Sequence, residues 1–142
     1  MEKLTREAEQ IMTERFGKDN VIALATVDAA KPAVRYVNAF YQEKAFYVIT
    51  YGLSNKVRQI AENPAISIAG DWFTAKGIGR NLGWVGAPEN KSLFSTLRTA
   101  FSEWIDNGHN DFSDPNTCIL KLELQEGVLF SHGTRYEIDF TA

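Results

Sequence analysis

An apolar strand that passes through a short turn straight into a helix is the strongest local constraint in this chain, and it spans Tyr47–Pro64, YVITYGLSNKVRQIAENP. Val48, Ile49 and Thr50 form the end of the strand, Gly52 permits the turn, and Ser54 stands where an N-cap residue belongs. Val57, Ile60 and Ala61 then recur at helical spacing until Asn63-Pro64, a dipeptide that stops a helix. A helix N-terminus presents unpaired N–H groups and a partial positive charge, and this one also carries Lys56 and the hydroxyls of Thr50 and Ser54. Two readings follow: a capping serine beside a solvated lysine, or a phosphate cradle. Magnitudes set the condition for the second. A helix end contributes ~0.3–1 kcal/mol and each charge-assisted hydrogen bond ~1.5–3 kcal/mol, whereas micromolar affinity needs ~8 kcal/mol. A phosphate site here therefore requires a second cation and a buried organic ring.

Arg35 is the candidate for that cation. The strand Ala33–Tyr41 has two faces, and Arg35 shares one with Ala33, Val37, Ala39 and Tyr41, so a guanidinium stands among small apolar residues. It reads either as an exposed cross-strand partner or as the second phosphate ligand.

The 142 residues, 44% of them hydrophobic, suit one domain over residues 1–142, and no charge-poor apolar run has the length of a membrane span. The opening MEKLTRE is charged and helical in flavour, unlike a signal peptide, so the expected location is the cytoplasm. Cys118 is the only cysteine, which rules out an intramolecular disulfide; no His/Cys spacing suggests a metal, and none is expected. A net charge of −3 with interleaved signs offers no basic stripe, so neither nucleic acid nor a membrane is an expected partner.

Leu4, Ala8, Ile11, Met12 and Phe16 predict a packing helix between a cap at Thr5 and a stop at Gly17. Val21–Val27 predicts a strand, Asp28–Pro32 a turn, and Gln42–Lys44 a hairpin joining Ala33–Tyr41 to Ala45–Thr50. After the short helix come a strand at Ala65–Ala69 and a glycine-rich segment, KGIGRNLG at 76–83. That segment superficially resembles a dinucleotide fingerprint but does not fit one. Its third glycine is a residue late, no parallel βαβ pattern surrounds it, and no acidic residue follows at the required distance. Bulges or close backbone approaches are the expected use of these glycines. Leu93, Phe94, Leu97, Phe101, Trp104 and Ile105 predict a longer helix from Pro88-Glu89 to Asn107-Gly108 that covers the open side of a sheet. His109, in the polar loop that follows, has no catalytic partner. Thr117–Gln125 alternates strictly, with Cys118, Leu120, Leu122 and Leu124 inward, and Gly127 is expected to break or bulge the strand. A last hairpin turns at His132-Gly133. The order predicts a mainly β fold, a six- to seven-stranded antiparallel barrel with helices plugging its openings.

Arg35-Tyr36-Val37-Asn38, Ile49-Thr50 and Ser54-Asn55-Lys56 with the downstream Asn63-Pro64 together resemble the FMN-binding split-barrel family that includes pyridoxamine 5′-phosphate oxidase. The resemblance is good over residues 18–83 and rests elsewhere on the order of elements. It implies a split barrel in which Arg35, Thr50, Ser54 and Lys56 hold the phosphate of FMN while Val37, Asn38 and Ile49 border the ring. Asn55 stands where the oxidase has a second basic residue. The resemblance also implies a homodimer with flavin between subunits, for which Trp72, Trp84 and Phe130 are apolar candidates. The terminal SHGTRYEIDFTA lacks the tryptophan and basic segment with which the oxidase recognises its substrate, so vitamin B6 oxidase activity is not expected. The implied function is an FMN-dependent oxidoreductase working between a nicotinamide donor, NAD(P)H, and a small organic acceptor. The alternatives are a non-catalytic flavin-binding stress or redox-sensing protein, and a barrel that uses haem or deazaflavin.

Overall fold

The strands expected from apolar alternation close into a ring in the computed structural model, which describes residues 1–142. In chain order the elements are β1 (Glu2–Lys3), α1 (Arg6–Phe16), β2 (Asn20–Asp28), β3 (Lys31–Gln42), β4 (Ala45–Tyr51), α2 (Asn55–Glu62), β5 (Ala65–Gly70), β6 (Phe73–Trp84), α3 (Lys91–Ala100), β7 (Thr117–Ser131) and β8 (Thr134–Asp139). A 3-10 turn, Pro88–Asn90, leads into α3. Strands β2, β3, β4, β7, β6 and β5 pair antiparallel in that order, and β5 pairs back onto β2. The fold is thus a closed six-stranded barrel. β8 extends the end of β7, and β1, where helical character was expected, pairs parallel with β8 through Glu2↔Ile138 and Lys3↔Asp139.

One seam of the barrel is open along most of its length. β3 and β4 are joined only at Phe40↔Tyr47, Tyr41↔Phe46 and Gln42↔Ala45. Beyond these pairs β3 stays with β2 as far as Asp28↔Lys31, while β4 stays with β7 as far as Tyr51↔Thr117. The two strands part, and Arg35–Asn38 lies on one lip of the split with Val48–Thr50 on the other.

The helices divide the core. Thr5 caps α1 by accepting from the Ala8 N–H at 3.1 Å, and the helix drives Ala8, Met12 and Phe16 into one barrel end. There Phe16 meets the rings of Phe46 and Phe73, each at a 5.5 Å centroid distance. At the opposite end α2 buries Val57 and Ile60. Its stop follows from Asn63, which takes the extended conformation (φ −144°, ψ 108°) that a following proline demands.

Unlike α1 and α2, α3 plugs no opening. It lies on the outside of β4 and β7, where Leu97, Phe101 and Ile105 form a second core with Ile49, Val85 and Ile119. It also ends at Ala100 rather than near Asn107. The Phe101 N–H is shared between the carbonyls of Leu97 and Thr99, and the chain then turns so that Phe101 and Ile105 both enter the second core. The same turns bring Trp104 Nε1 to Asp19 Oδ2, to which it donates at 3.0 Å.

The glycine-rich segment is the body of β6. Pairing passes from Lys76↔Glu126 to Gly77↔Leu124, which leaves Gln125 as the extra residue of a bulge. A Cβ at Gly79 would lie 2.9 Å from the Ile60 side chain, so this glycine lets α2 seat against the barrel. The bulge falls two residues before Gly127, through which β7 runs unbroken. No helix is long and apolar enough to cross a membrane.

Candidate functional site

The barrel end under α2 is lined by polar groups, and strand alternation puts them there. Val37 and Ala39 face the main core, so Arg35 shares their face one step nearer the end. Leu24 is likewise a core residue, which places Thr26 on the inner face of β2. Thr50 and Cys118 are paired across β4 and β7, one step beyond the core pair Val48↔Leu120. Ser54, Lys56 and Gln59 arrive from α2.

Ser54 occupies the expected N-cap position with extended backbone (φ −70°, ψ 159°), yet its side chain makes no capping hydrogen bond. Its Oγ is buried and has no partner at all. Such a group costs ~1–3 kcal/mol when left unsatisfied, so a native chain retains one where a ligand or water completes it. Arg58 is the first α2 residue whose N–H reaches a main-chain carbonyl, that of Ser54 at 3.1 Å. The N–H groups of Asn55, Lys56 and Val57 are the helix-end donors before it. Gly52 serves this turn by close approach rather than by an unusual φ: a Cβ there would come within 3.0 Å of the Asn116 carbonyl oxygen.

Two cations converge on the same end. Arg35 donates from Nη1 to the Leu24 carbonyl (3.2 Å) and Thr26 Oγ1 (2.7 Å), and from Nη2 to Gln59 Oε1 (2.8 Å). No carboxylate pairs with Arg35 or with Lys56. Burial lowers the basicity of both, and Lys56 is lowered further by the charge of Arg35. Burial raises the Cys118 thiol, with Lys56 pulling the other way. Two like charges held together, half-desolvated, beside an unsatisfied hydroxyl and a helix N-terminus form an arrangement that an anion relieves.

Of the eight residues singled out from the sequence, Arg35, Thr50, Ser54 and Lys56 share this barrel end. Asn55 is exposed at the first turn of α2. Val37 and Ile49 sit on opposite lips of the split, but their side chains belong to the first and second cores, which leaves their main chain at the seam. Asn38 points outward and donates to Asp19 Oδ1 at 3.0 Å, so Asp19 joins Asn38 to Trp104. Thr26 and Gln59, 2% and 4% exposed, were not singled out. Their signal was a polar residue on the face of Ile22 and Leu24, and a glutamine one turn after Lys56 beside Ile60.

A six-stranded antiparallel barrel opened along one seam, with a short helix over a polar end, defines the split-barrel class. The family model described as pyridoxamine 5′-phosphate oxidase matches residues 8–129, and the chain belongs to that family. Among solved structures, a NimC/NimA family protein from Clostridium acetobutylicum is similar at a TM-score of 0.68 and 18% identity, with 91% of this chain and 92% of that one covered. A pyridoxamine 5′-phosphate oxidase-related, FMN-binding protein from Nostoc punctiforme PCC 73102 has a TM-score of 0.59 and 18% identity, covering 93% and 87%. A heme-binding protein from Mycobacterium smegmatis has a TM-score of 0.63 and 15% identity, covering 88% of this chain and 54% of that one. Comparison by sequence with proteins of curated function gave no match.

Proposed function

We propose that this protein binds FMN, with the phosphate at the barrel end among Arg35, Thr50, Ser54 and Lys56 and the ring along the split between β3 and β4. The observation that carries this reading is the pair of uncompensated cations beside the partnerless Ser54 Oγ. An anion with several acceptor oxygens suits that donor set, and the open seam offers main-chain groups to a planar ring. Bound flavin would supply the hydride and electron chemistry, exchanged between a nicotinamide donor and a small organic acceptor; the chain supplies charge and position. Vitamin B6 oxidation is not proposed, because the terminal SHGTRYEIDFTA lacks the tryptophan and basic segment with which the oxidase recognises its substrate.

A second copy of the chain is the proposed partner. On the outer wall of the barrel, Tyr36, Ala23, Ala69, Thr74 and Val128 form one cross-strand row, and Val34, Ala25 and Ser67 a second. Small residues there floor a groove of about 350 Å³ beside the protruding Val34 and Tyr36. A protruding pair next to a shallow groove on one face suits an isologous contact about a two-fold axis.

The test is the visible spectrum of the protein after mixing with FMN and removing the excess, with haem in parallel. Flavin bands at one per subunit support the reading; a haem band without flavin overturns it. Anaerobic addition of NADH or NADPH then separates an enzyme, whose flavin bleaches rapidly, from a flavin binder that stays oxidised. Ser54→Ala is expected to weaken FMN about tenfold, from ~1.4 kcal/mol of lost bonding, without lowering the apoprotein melting temperature, since Oγ has no bond to lose. Fluorescence titration beside a thermal melt measures both.

FMN affinity should also be bounded in pH. Below a phosphate second pKa of about 6 the ligand loses charge. Lys56 in the free protein titrates below its usual range, so above that point binding must also take up a proton, and affinity falls by at most about tenfold per pH unit. A titration series across pH should show a plateau between these limits.

A further inference from the structure

Arg35 has five N–H donors in a planar fork, and the protein uses three of them. Both Nη1 hydrogens are spent, on the Leu24 carbonyl and Thr26 Oγ1, and one Nη2 hydrogen goes to Gln59 Oε1. Thr26 Oγ1 also donates to Gln59 Oε1, so these two acceptors sit side by side across the Nη1–Nη2 end of the guanidinium. Nε–H and the second Nη2–H are left over. These two point in parallel from the side of the guanidinium, the geometry that takes two oxygens of a phosphate or carboxylate at once.

We infer that Thr26 and Gln59 are positioning residues that clamp the end of the Arg35 guanidinium and so present its Nε/Nη2 edge as a ready-made two-pronged site for a phosphate monoester. The inference rests on the phosphate reading above and adds how the arginine is held and which of its edges meets the ligand. Both clamps are buried between β2 and α2, where an unheld amide or hydroxyl would be costly, and their mutual hydrogen bond fixes each acceptor toward the arginine. A preset fork spares the ligand the loss of arginine rotamer freedom on binding. Arg35→Lys should not substitute for it, since an ammonium offers no planar pair of donors.

Gln59→Met keeps volume and removes the acceptor. It is expected to weaken FMN about tenfold while leaving riboflavin, which has the ring without the phosphate, within twofold of its wild-type affinity. In an Arg35→Met background, Gln59→Met should change FMN affinity no further, because the glutamine acts through the arginine. An equal loss for riboflavin, an undiminished loss in the Arg35→Met background, or unchanged FMN affinity in Gln59→Met would each overturn the assignment. If Gln59→Met does not fold, the wild-type protein carries the test through the ¹⁵N-labelled Arg35 Nε–H resonance, assigned by its absence from Arg35→Met. That signal should shift on adding FMN or inorganic phosphate, and a signal moved by neither overturns the fork. A protein that retains no FMN yet shifts the resonance with phosphate sinks the flavin reading alone, and upholds the fork as a site for another phosphate ester.

Discussion

Lys56→Met is expected to release FMN and, without ligand, to melt at a higher temperature than the wild-type protein. Both effects come from the same charge. The ammonium is partly withdrawn from water and faces the Arg35 guanidinium with no carboxylate to offset either cost. For a phosphate it is a charge-assisted donor in a half-dry site, worth ~1.5–3 kcal/mol, so its removal should cost between ten- and a hundredfold in FMN affinity. In the apoprotein the sign reverses. A lysine whose folded pKa lies below its unfolded value opposes folding at every pH at which the folded group is charged; the penalty fades as pH rises from the folded pKa toward the unfolded value of 10.5. The stability advantage of Lys56→Met should therefore be full at neutral pH and shrink in alkaline solution. Thermal melts at several pH values with parallel FMN titrations check both halves. A variant that keeps wild-type FMN affinity removes Lys56 from the phosphate site, and one that melts lower shows that its aliphatic stem matters more to packing than its charge.

That opposition of stability and binding explains how much of the site was legible in the sequence. Ser54, Lys56 and Thr50 are local: a strand, a turn and a capped helix lie within a few residues, and short-range rules place them. Arg35 was visible as a charge on an apolar strand face, which is a local conflict, and such conflicts gather at functional sites. Thr26 and Gln59 escaped because their importance depends on the β2–β3 register and on α2 lying across β2, and neither follows from one segment. The barrel itself was readable from alternation, as was the use of the β6 glycines at a bulge and a close approach, Gly77 facing the β7 backbone beside the Gln125 bulge and Gly79 lying under Ile60. The seating of α3 on a sheet was readable from its apolar stripe as well; which sheet face it covers was not, and the two-faced burial of β4 and β7, with Ile49 and Ile119 outward and Val48 and Leu120 inward, decides that. The same residues predicted a helix continuing to Asn107, whereas the chain leaves the helix at Phe101 and buries Phe101 and Ile105 in the second core through turns.

Tyr36→Glu is expected to convert a dimer into a monomer and to weaken FMN binding with it. Tyr36 stands 81% exposed on β3, between Arg35 and Val37, so the protomer loses almost no packing when the ring is removed. In a two-fold contact one substitution acts twice. An aromatic anchor is worth at least ~2 kcal/mol, so about 4 kcal/mol per dimer, or roughly a thousandfold in the dimer dissociation constant, is the expected scale before the added carboxylate is counted. Trp72→Glu is the discriminating control. Trp72 is 70% exposed at the β5–β6 turn, packed edge-on against Phe130 at 6.2 Å, one same-face step beyond Thr74 and not itself lining the small-residue groove. Trp84, the third aromatic considered for an interface, already donates Nε1 to the Phe112 carbonyl at 2.7 Å. Sedimentation of the two variants should give a monomer for Tyr36→Glu and a dimer for Trp72→Glu, with FMN affinity following the oligomeric state. The opposite pattern would move the interface to the aromatic turn. Loss of flavin from a Tyr36→Glu protein that remains dimeric would instead mean that the tyrosine acts on the ligand directly, through its place on the lip of the split.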